Sequence, residues 1–203
     1  MQSLETIELD GKVVNIYADE TPMNPRNTDY NDNLDLMICF HRNYQLGDKH
    51  NYKATDNFNS IDELEARIIK NHNPVVIKRL YLYDHSGITI STTPFECQWD
   101  SGFVGFVLMG REHALKNWQF GKYTNNRYLV DRVDKYIEAS VKEYDQYLRG
   151  EVYGYIVSDK DGNELDSCWG FHGWDYAVEQ AKEALKNSKI PVCEDPNQLQ
   201  LAL

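Results

Sequence analysis

The feature that most constrains the fold is a long stretch of helical periodicity from about Asn126 to Arg149. Apolar side chains recur there at intervals of three and four residues, the pattern of a helix with one buried face. Gly150 follows it, and glycine is common just beyond a helix C-terminus. The expected buried positions are Leu129, Val130, Val133, Tyr136, Ile137, Val141, Tyr144, Tyr147 and Leu148. The chain must therefore supply a matching apolar surface for this long helix.

Two β-hairpins are predicted near the ends of the chain. The first joins Ser3–Leu9 to Lys12–Tyr17 through Asp10-Gly11, a dipeptide that favours tight two-residue turns. The second joins Val152–Ser158 to Glu164–Trp169 through a polar turn that contains Asp161-Gly162. Alternating apolar and polar residues in these segments indicate sheets with one buried face.

The remaining elements complete an α+β pattern. A capping box at Ser60 and Glu63 predicts the start of a helix that ends near Asn71. Further strands are expected at Leu34–Phe40, Val75–Tyr83, Ile88–Thr92 and Phe103–Met109, and further helices at Arg111–Trp118 and Trp174–Asn187. Since no βαβ rhythm is present, the prediction is an antiparallel sheet with hairpins, packed against one long and two or three shorter helices. We expect a single domain over residues 1–190 and a flexible tail over residues 191–203.

The formal net charge of −11 is concentrated near both termini. Residues 1–35 carry a net charge of −6 and residues 159–203 a net charge of −5, so the middle of the chain is neutral. An acidic surface repels phosphate backbones, so direct binding to nucleic acid is not expected. Two explanations for the acidic residues remain open: solubility, or a surface that docks on a basic partner.

The sequence also bears on where in the cell the protein acts and on whether it binds a metal or another cofactor. No apolar run is long enough to span a bilayer and Met1–Glu5 lacks the features of a signal peptide, so we expect a cytoplasmic protein without membrane contact. The four cysteines are widely spaced and are expected to be reduced. Cys39 and His41 are one close pair where zinc usually needs two, so no metal or other cofactor is expected. The sequence leaves open whether the protein forms a homo-oligomer.

No standard catalytic motif occurs in the chain. The catalytic candidates are Asp84 and His85 in one predicted turn and Cys97 and Asp100 in a second polar segment. A histidine beside a carboxylate can act as a general base, and a thiol as a nucleophile. The competing interpretation is that Asp, Ser and Gly serve only as turn residues there.

Two further patterns suggest binding. Trp99-Asp100 and Asp166 with Trp169 place tryptophan and aspartate together twice, either as walls of a ligand pocket or as strand ends that cover the core. The long polar loop after Phe40 combines Arg, Tyr and His, as interface hot spots do, but it is also consistent with plain surface. The binding candidates are therefore His41, Arg42, Tyr44, Trp99, Asp100, Asp166 and Trp169.

Five distinctive segments carry a resemblance to a known group of proteins. They span residues 36–48, 81–87, 99–106, 148–155 and 166–171, and include Cys39-Phe40-His41-Arg42-Asn43-Tyr44-Gln45-Leu46-Gly47-Asp48. These strings resemble an uncharacterised family associated with bacteriophages and mobile elements. The resemblance brings no established activity or catalytic residue. It implies a counter-defence role, similar to that of anti-CRISPR proteins, in which the protein binds a host immune factor.

Three functions follow as hypotheses. The favoured one is an inhibitor that binds a host protein, such as a nucleic-acid-binding defence effector, through an acidic, Tyr-rich surface. The second is a small hydrolase or nucleotide-modifying enzyme that uses His85 with Asp84, Asp100 or Cys97. The third is a protein that sequesters a signalling nucleotide, for which Trp99, Trp169, Arg42 and Arg79 are candidates.

Overall fold

The structure is a computed structural model, described here for residues 1–27, 33–52, 60–97, 99–118 and 126–189. The elements in chain order are β1 (Glu5–Leu9), β2 (Lys12–Ala18), β3 (Leu36–Cys39), α1 (Ile61–His72), β4 (Pro74–Asp84), β5 (Ile88–Ser91), β6 (Ser101–Gly110), α2 (Arg111–Asn117), α3 (Asn126–Leu148), β7 (Val152–Asp159), β8 (Glu164–His172) and α4 (Trp174–Asn187). The strand pairs of both sheets are antiparallel. The predicted α+β class is confirmed.

The chain forms two compact units. The terminal unit comprises residues 1–22 and 151–203, and the central unit comprises residues 23–150. Each unit has its own four-stranded sheet. The single domain over residues 1–190 stays a prediction, and the predicted tail at 191–203 lies outside the described residues. In the described part of the chain, no helix is both long and apolar enough to cross a membrane.

The terminal unit is a sheet covered on one face by a helix. The strand order of this terminal sheet is β1-β2-β7-β8, so the predicted hairpins from opposite ends of the chain lie side by side. Val14, Ile16 and Val157 pack against Ala181 and Leu185 of α4. The buried Lys12 donates through Nζ to the carbonyl oxygens of Leu185 (2.5 Å) and Ser188 (2.7 Å), which satisfies acceptors at the end of α4.

The central unit has helices on both faces of its sheet. The strand order of this central sheet is β3-β6-β4-β5. Alternate residues of a strand point to opposite faces, so Met37 joins the core beneath α3 whereas Ile38 joins the core beneath α1. Leu129 of α3 lies in the first core and Ile68 of α1 in the second, and all four side chains are fully buried.

Val130, which the sequence predicted to be buried, is exposed, and two isoleucines of α1 are exposed as well. Val130 of α3 is 44% exposed, and Ile61 and Ile69 of α1 are 39% and 43% exposed. Val130 and Ile69 each follow a fully buried residue, and a neighbouring position on a helix is turned by about 100° from it, whereas Ile61 lies in the first turn of α1. The predicted cap is present, with Ser60 Oγ accepting a hydrogen bond from the backbone N–H of Glu63 at 3.2 Å.

A buried ion cluster joins the segment before β3 to the rest of the central unit. Arg26 donates to Asp35 (Nη1 to Oδ1, 3.1 Å), to Asp48 (Nε to Oδ1, 3.0 Å) and to Ser140 Oγ of α3 (3.0 Å). Asp48 also accepts the backbone N–H of Met37 at 2.7 Å. Burial alone would lower the pKa of Arg26, but its hydrogen bonds and charge attractions to Asp48 and Asp35 outweigh burial and raise that pKa above its usual value.

Candidate functional site

The four catalytic candidates lie at one end of the central sheet. The backbone N–H of Asp84, at the end of β4, donates to the carbonyl oxygen of Asp100 just before β6, at 2.8 Å. His85 Nδ1 lies 3.4 Å from Asp100 Oδ2, and Cys97 Sγ lies 3.8 Å from the same oxygen. The pairing of β4 with β6 therefore brings together two segments that the sequence could identify only separately.

The order of these groups matters for their chemistry. A nucleophilic cysteine must contact its base, whereas here the carboxylate of Asp100 lies between Cys97 and His85. The side chain of His85 is 63% exposed, and the backbone N–H of His85 bonds to the carbonyl oxygen of Gly87 at 3.1 Å within a tight turn. The geometry thus gives both His85 and Cys97 the carboxylate of Asp100 as a partner, but it does not place the Cys97 thiol against the His85 imidazole.

Two surface depressions flank the loop after β3. The smaller has a volume of about 370 Å³, and its lining includes His41, Arg42, Asp84, Trp99 and Asp100. The larger, which we call the loop depression, has a volume of about 740 Å³ and is lined by residues between Asn24 and Tyr52. His41 and Arg42 line both depressions. The predicted binding loop therefore does border concave surface.

The loop itself is held by specific contacts. The rings of His41 and Tyr44 stack with centroids 4.9 Å apart, and His41 Nδ1 accepts the backbone N–H groups of Asn43 and Tyr44 at 3.3 Å each. Gly47 has φ +68° and donates its N–H to Tyr144 Oη at 3.1 Å. A loop fastened to β3 and α3 in this way can present His41 and Tyr44 in fixed positions.

The tryptophans of the two predicted Trp–Asp pairs belong to different units. Trp99 lies in the central unit and is 95% exposed. Trp169 lies on β8 of the terminal unit, where its ring stacks on Tyr17 with centroids 6.1 Å apart. Gly154 lies between Tyr17 and Trp169 in the sheet. A Cβ atom on Gly154 would lie only 2.2 Å from the Trp169 ring, so glycine is required for this arrangement. The ligand pocket walled by both tryptophans stays a prediction.

Asp166 and Trp169 point to opposite faces of β8. Trp169 is paired with Gly154, whereas Asp166 is paired with Val157, whose side chain packs under α4. The carboxylate of Asp166 accepts a hydrogen bond from Tyr155 Oη at 3.3 Å. Burial, followed by the charge of Asp166, raises the pKa of Tyr155 to about 12.

The face of the terminal sheet that points away from α4 forms one continuous surface, which we call the outer face. Directly paired residues share a face, so the register defines it in rows. The rows comprise Glu8, Val13, Ser158 and Glu164; Thr6, Asn15, Ile156 and Ser167; and Tyr17, Gly154 and Trp169. One end of the outer face thus carries a carboxylate on each edge strand, and the other end carries a pair of aromatic rings.

Charge is distributed unequally between the units. The terminal unit holds fifteen acidic and five basic residues, a net charge of −10 out of −11, and the central unit is close to neutral. Apart from Glu151, no acidic residue in the described part of the terminal unit forms an ion pair with a described basic residue. In the central unit, by contrast, Lys78 pairs with Asp134 and Glu138. The negative potential therefore arises mainly from the terminal unit.

The sequence pointed to Trp169 but not to its partners on the outer face. Glu8 and Tyr17 occupy outward positions of the alternating pattern in β1 and β2, and that local signal could have suggested them. Their neighbours on β7 and β8 could not be identified locally, because the pairing of β2 with β7 joins opposite ends of the chain.

The described residues do not form a metal site. No group of three or more His, Cys, Asp or Glu side chains is arranged to hold an ion within the part of the chain that the structure describes. Cys39 is buried, and burial raises the pKa of its thiol to about 12. At neutral pH this thiol is therefore protonated and is a poor ligand or nucleophile.

Comparisons with known proteins identify no family to which this chain is similar. No protein-family model matches the chain, and neither a curated protein nor a solved structure shows significant similarity to it. The resemblance to bacteriophage and mobile-element proteins therefore stays a prediction that rests on the sequence segments alone.

Proposed function

We propose that this protein is a binding protein that docks on a positively charged site of a partner protein through the outer face of its terminal sheet. The observation that carries the proposal is the negative charge of the terminal unit, which holds −10 of the net charge of −11. Carboxylates without basic neighbours retain their long-range field, which accelerates encounter with a basic partner.

The outer face combines charge with aromatic anchors. Glu8 and Glu164 lie in one row of four strands, about 14 Å apart at the usual strand spacing, so one basic surface can face both. Trp169 is 38% exposed and is supported from the side by Tyr17. Tryptophan and tyrosine dominate binding energy at protein interfaces because they bury a large area with few rotatable bonds.

The resemblance supplies the biological setting of the proposal. A counter-defence protein of a phage or mobile element acts in the cytoplasm of the host cell, and a defence effector that binds nucleic acid has a basic groove. Carboxylates on the outer face would occupy positions that phosphates take in that groove. The protein then inhibits by occupancy, without catalysis.

Charge reversal on the outer face tests the proposal. Glu8→Lys combined with Glu164→Lys is expected to lower capture of the partner from host lysate at least tenfold, since each lysine repels the basic site. Trp169→Ala is expected to weaken binding to a similar degree without a change in net charge. Capture should be measured at low and high salt, because the wild-type interaction is expected to weaken as salt rises.

A matched control uses carboxylates of the central unit. Glu96→Lys combined with Glu112→Lys makes the same change in net charge at two exposed positions outside the outer face. This control is expected to retain binding. An equal loss of partner capture in both double variants would show that only the total charge matters. Capture that does not change with salt or with Trp169→Ala would contradict the proposal.

A hydrolase is the second candidate, favoured by the contact of His85 with Asp100 beside a depression of about 370 Å³. His85→Ala is then expected to abolish turnover of nitrophenyl acetate or nitrophenyl phosphate, typically by 10²–10⁴-fold for a general base, while the fold is retained. His113→Ala, at another exposed histidine of the central unit, is the control. Equal rates in the wild type and both variants would exclude this role for His85.

A further inference from the structure

The loop depression has a charge opposite to that of the whole protein. Among the described residues that line it are three cations, Arg26, Arg42 and Lys49, and one carboxylate, that of Asp48. Asp48 is buried, and its carboxylate already accepts hydrogen bonds from Arg26 and from the backbone N–H of Met37. In a chain with a net charge of −11, a concave surface with this excess of cations indicates an anionic ligand.

Two of the cations are available to such a ligand. Arg26 is occupied by the buried ion cluster, whereas Arg42 and Lys49 are exposed and have no hydrogen-bond or ion-pair partner among the described residues. Arginine presents a planar fork of N–H donors that matches two oxygens of a phosphate, and lysine adds a point charge. Phosphate is therefore the anion that this pair fits best.

The same depression offers a surface for an aromatic ring. Tyr44 is 40% exposed, its ring stacks on that of His41 with centroids 4.9 Å apart, and it lines the same depression as the cations. His41 Nδ1 accepts two backbone N–H groups, which places the proton of the neutral ring on Nε2 and makes that nitrogen a donor. Bases of nucleotides stack on tyrosine faces of this kind.

A buried polar atom in the lining also lacks a partner. His50 Nε2 donates to the carbonyl oxygen of Cys39 at 3.0 Å, and the opposite nitrogen, Nδ1, is shielded from solvent without a partner among the described residues. Since Nε2 carries the proton, Nδ1 is an acceptor in the neutral ring. The residues around the depression therefore include an acceptor that no described group satisfies.

We propose that the loop depression is a nucleotide-binding site, in which Arg42 and Lys49 hold the phosphate and the base stacks on Tyr44. The volume of about 740 Å³ lies within the range of small-molecule sites, roughly 300–1,000 Å³. The site belongs to the central unit and uses none of the residues of the outer face, so it is an activity beyond the proposed protein binding.

Isothermal titration calorimetry of the full chain tests this proposal. The probes are AMP, GMP, cyclic di-AMP and cyclic di-GMP, with adenosine and inorganic phosphate as partial ligands. At least one nucleotide is expected to bind more tightly than either partial ligand. Arg42→Gln is expected to raise its Kd about tenfold through the loss of the bidentate contact, and Tyr44→Ala by a similar factor through the loss of stacking.

The controls separate a specific site from general charge effects. Lys142→Gln removes an exposed cation of α3 that does not line the depression, and it is expected to leave the Kd unchanged. Lys49→Gln provides a second test of the phosphate contact if Arg42→Gln fails to fold by circular dichroism. No binding of any nucleotide, equal binding of inorganic phosphate, or equal effects of Lys142→Gln and Lys49→Gln would overturn the proposal. Loss of the outer-face interaction would not affect it.

Discussion

Arg26→Met is expected to destabilise the central unit by about 3–5 kcal/mol, because it removes one partner from a buried ion cluster and leaves two buried carboxylates without compensation. The side chains of Arg26 and Asp35 are almost completely buried, at 1% and 0% exposure. Asp48 would lose its bonds from Nε and Nη2 and would retain, among the described donors, the N–H of Met37. Urea denaturation followed by circular dichroism measures the change.

Arg79 provides the matched control for this experiment. Its Nη2 atom also contacts two carboxylates, those of Asp62 and Glu65, each at 2.5 Å. The Arg79 side chain is 37% exposed and that of Asp62 is 81% exposed, so water replaces the lost contacts. Arg79→Met is therefore expected to cost about 0–1 kcal/mol. Similar losses for Arg26→Met and Arg79→Met would show that burial does not determine the strength of the Arg26 cluster.

Gly105→Ala is the second substitution with a large expected effect. Gly105 on β6 is paired with Cys39 on β3, and a Cβ atom at Gly105 would lie 1.9 Å from the carbonyl oxygen of Ile38. The contact is with backbone, so no side-chain rotation relieves it and the strands must separate. We expect a loss of about 3 kcal/mol of unfolding free energy, at the upper end of the usual cost of overpacking.

Gly102→Ala in the same strand is the control for the steric argument. A Cβ atom there would have no neighbour within 4 Å, so its expected effect on stability is within about 0.5 kcal/mol. Both variants change glycine to alanine in β6 and alter β propensity alike. Equal thermal unfolding temperatures for the two variants would contradict the close approach of β3 and β6 at Gly105.

Local structure was largely predictable from the sequence. The helix expected from Trp174 to Asn187 has those bounds, and the hairpin at Asp10-Gly11 connects β1 to β2. These features depend on periodicity, caps and turn residues, which act over a few positions. The burial of Val130 was predicted wrongly, because a periodic pattern identifies the centre of an apolar stripe more reliably than its edges.

The candidate sites were predictable only as separate segments. The sequence identified His85 and Asp100 as polar turn residues, and the pairing of β4 with β6 brings their side chains within 3.4 Å. It identified Arg42 and Tyr44 in a binding loop, but the cation-rich depression depends also on Arg26 and Lys49. Long-range pairing decides these neighbours, and single-sequence patterns do not report it.

The class of fold, the approximate positions of most helices and strands, and the excess of acidic residues follow from composition and from short-range patterns, so they can be read from the chain alone. Which strands are neighbours, and with that the division into two units and the concentration of charge in one of them, depends on the folded arrangement. The pairing of β2 with β7 joins both acidic ends in a single sheet. Strand pairing is selected by the burial of whole sheet faces against α3 and α4, and the free energy of that burial comes from contacts between residues that are remote in the chain.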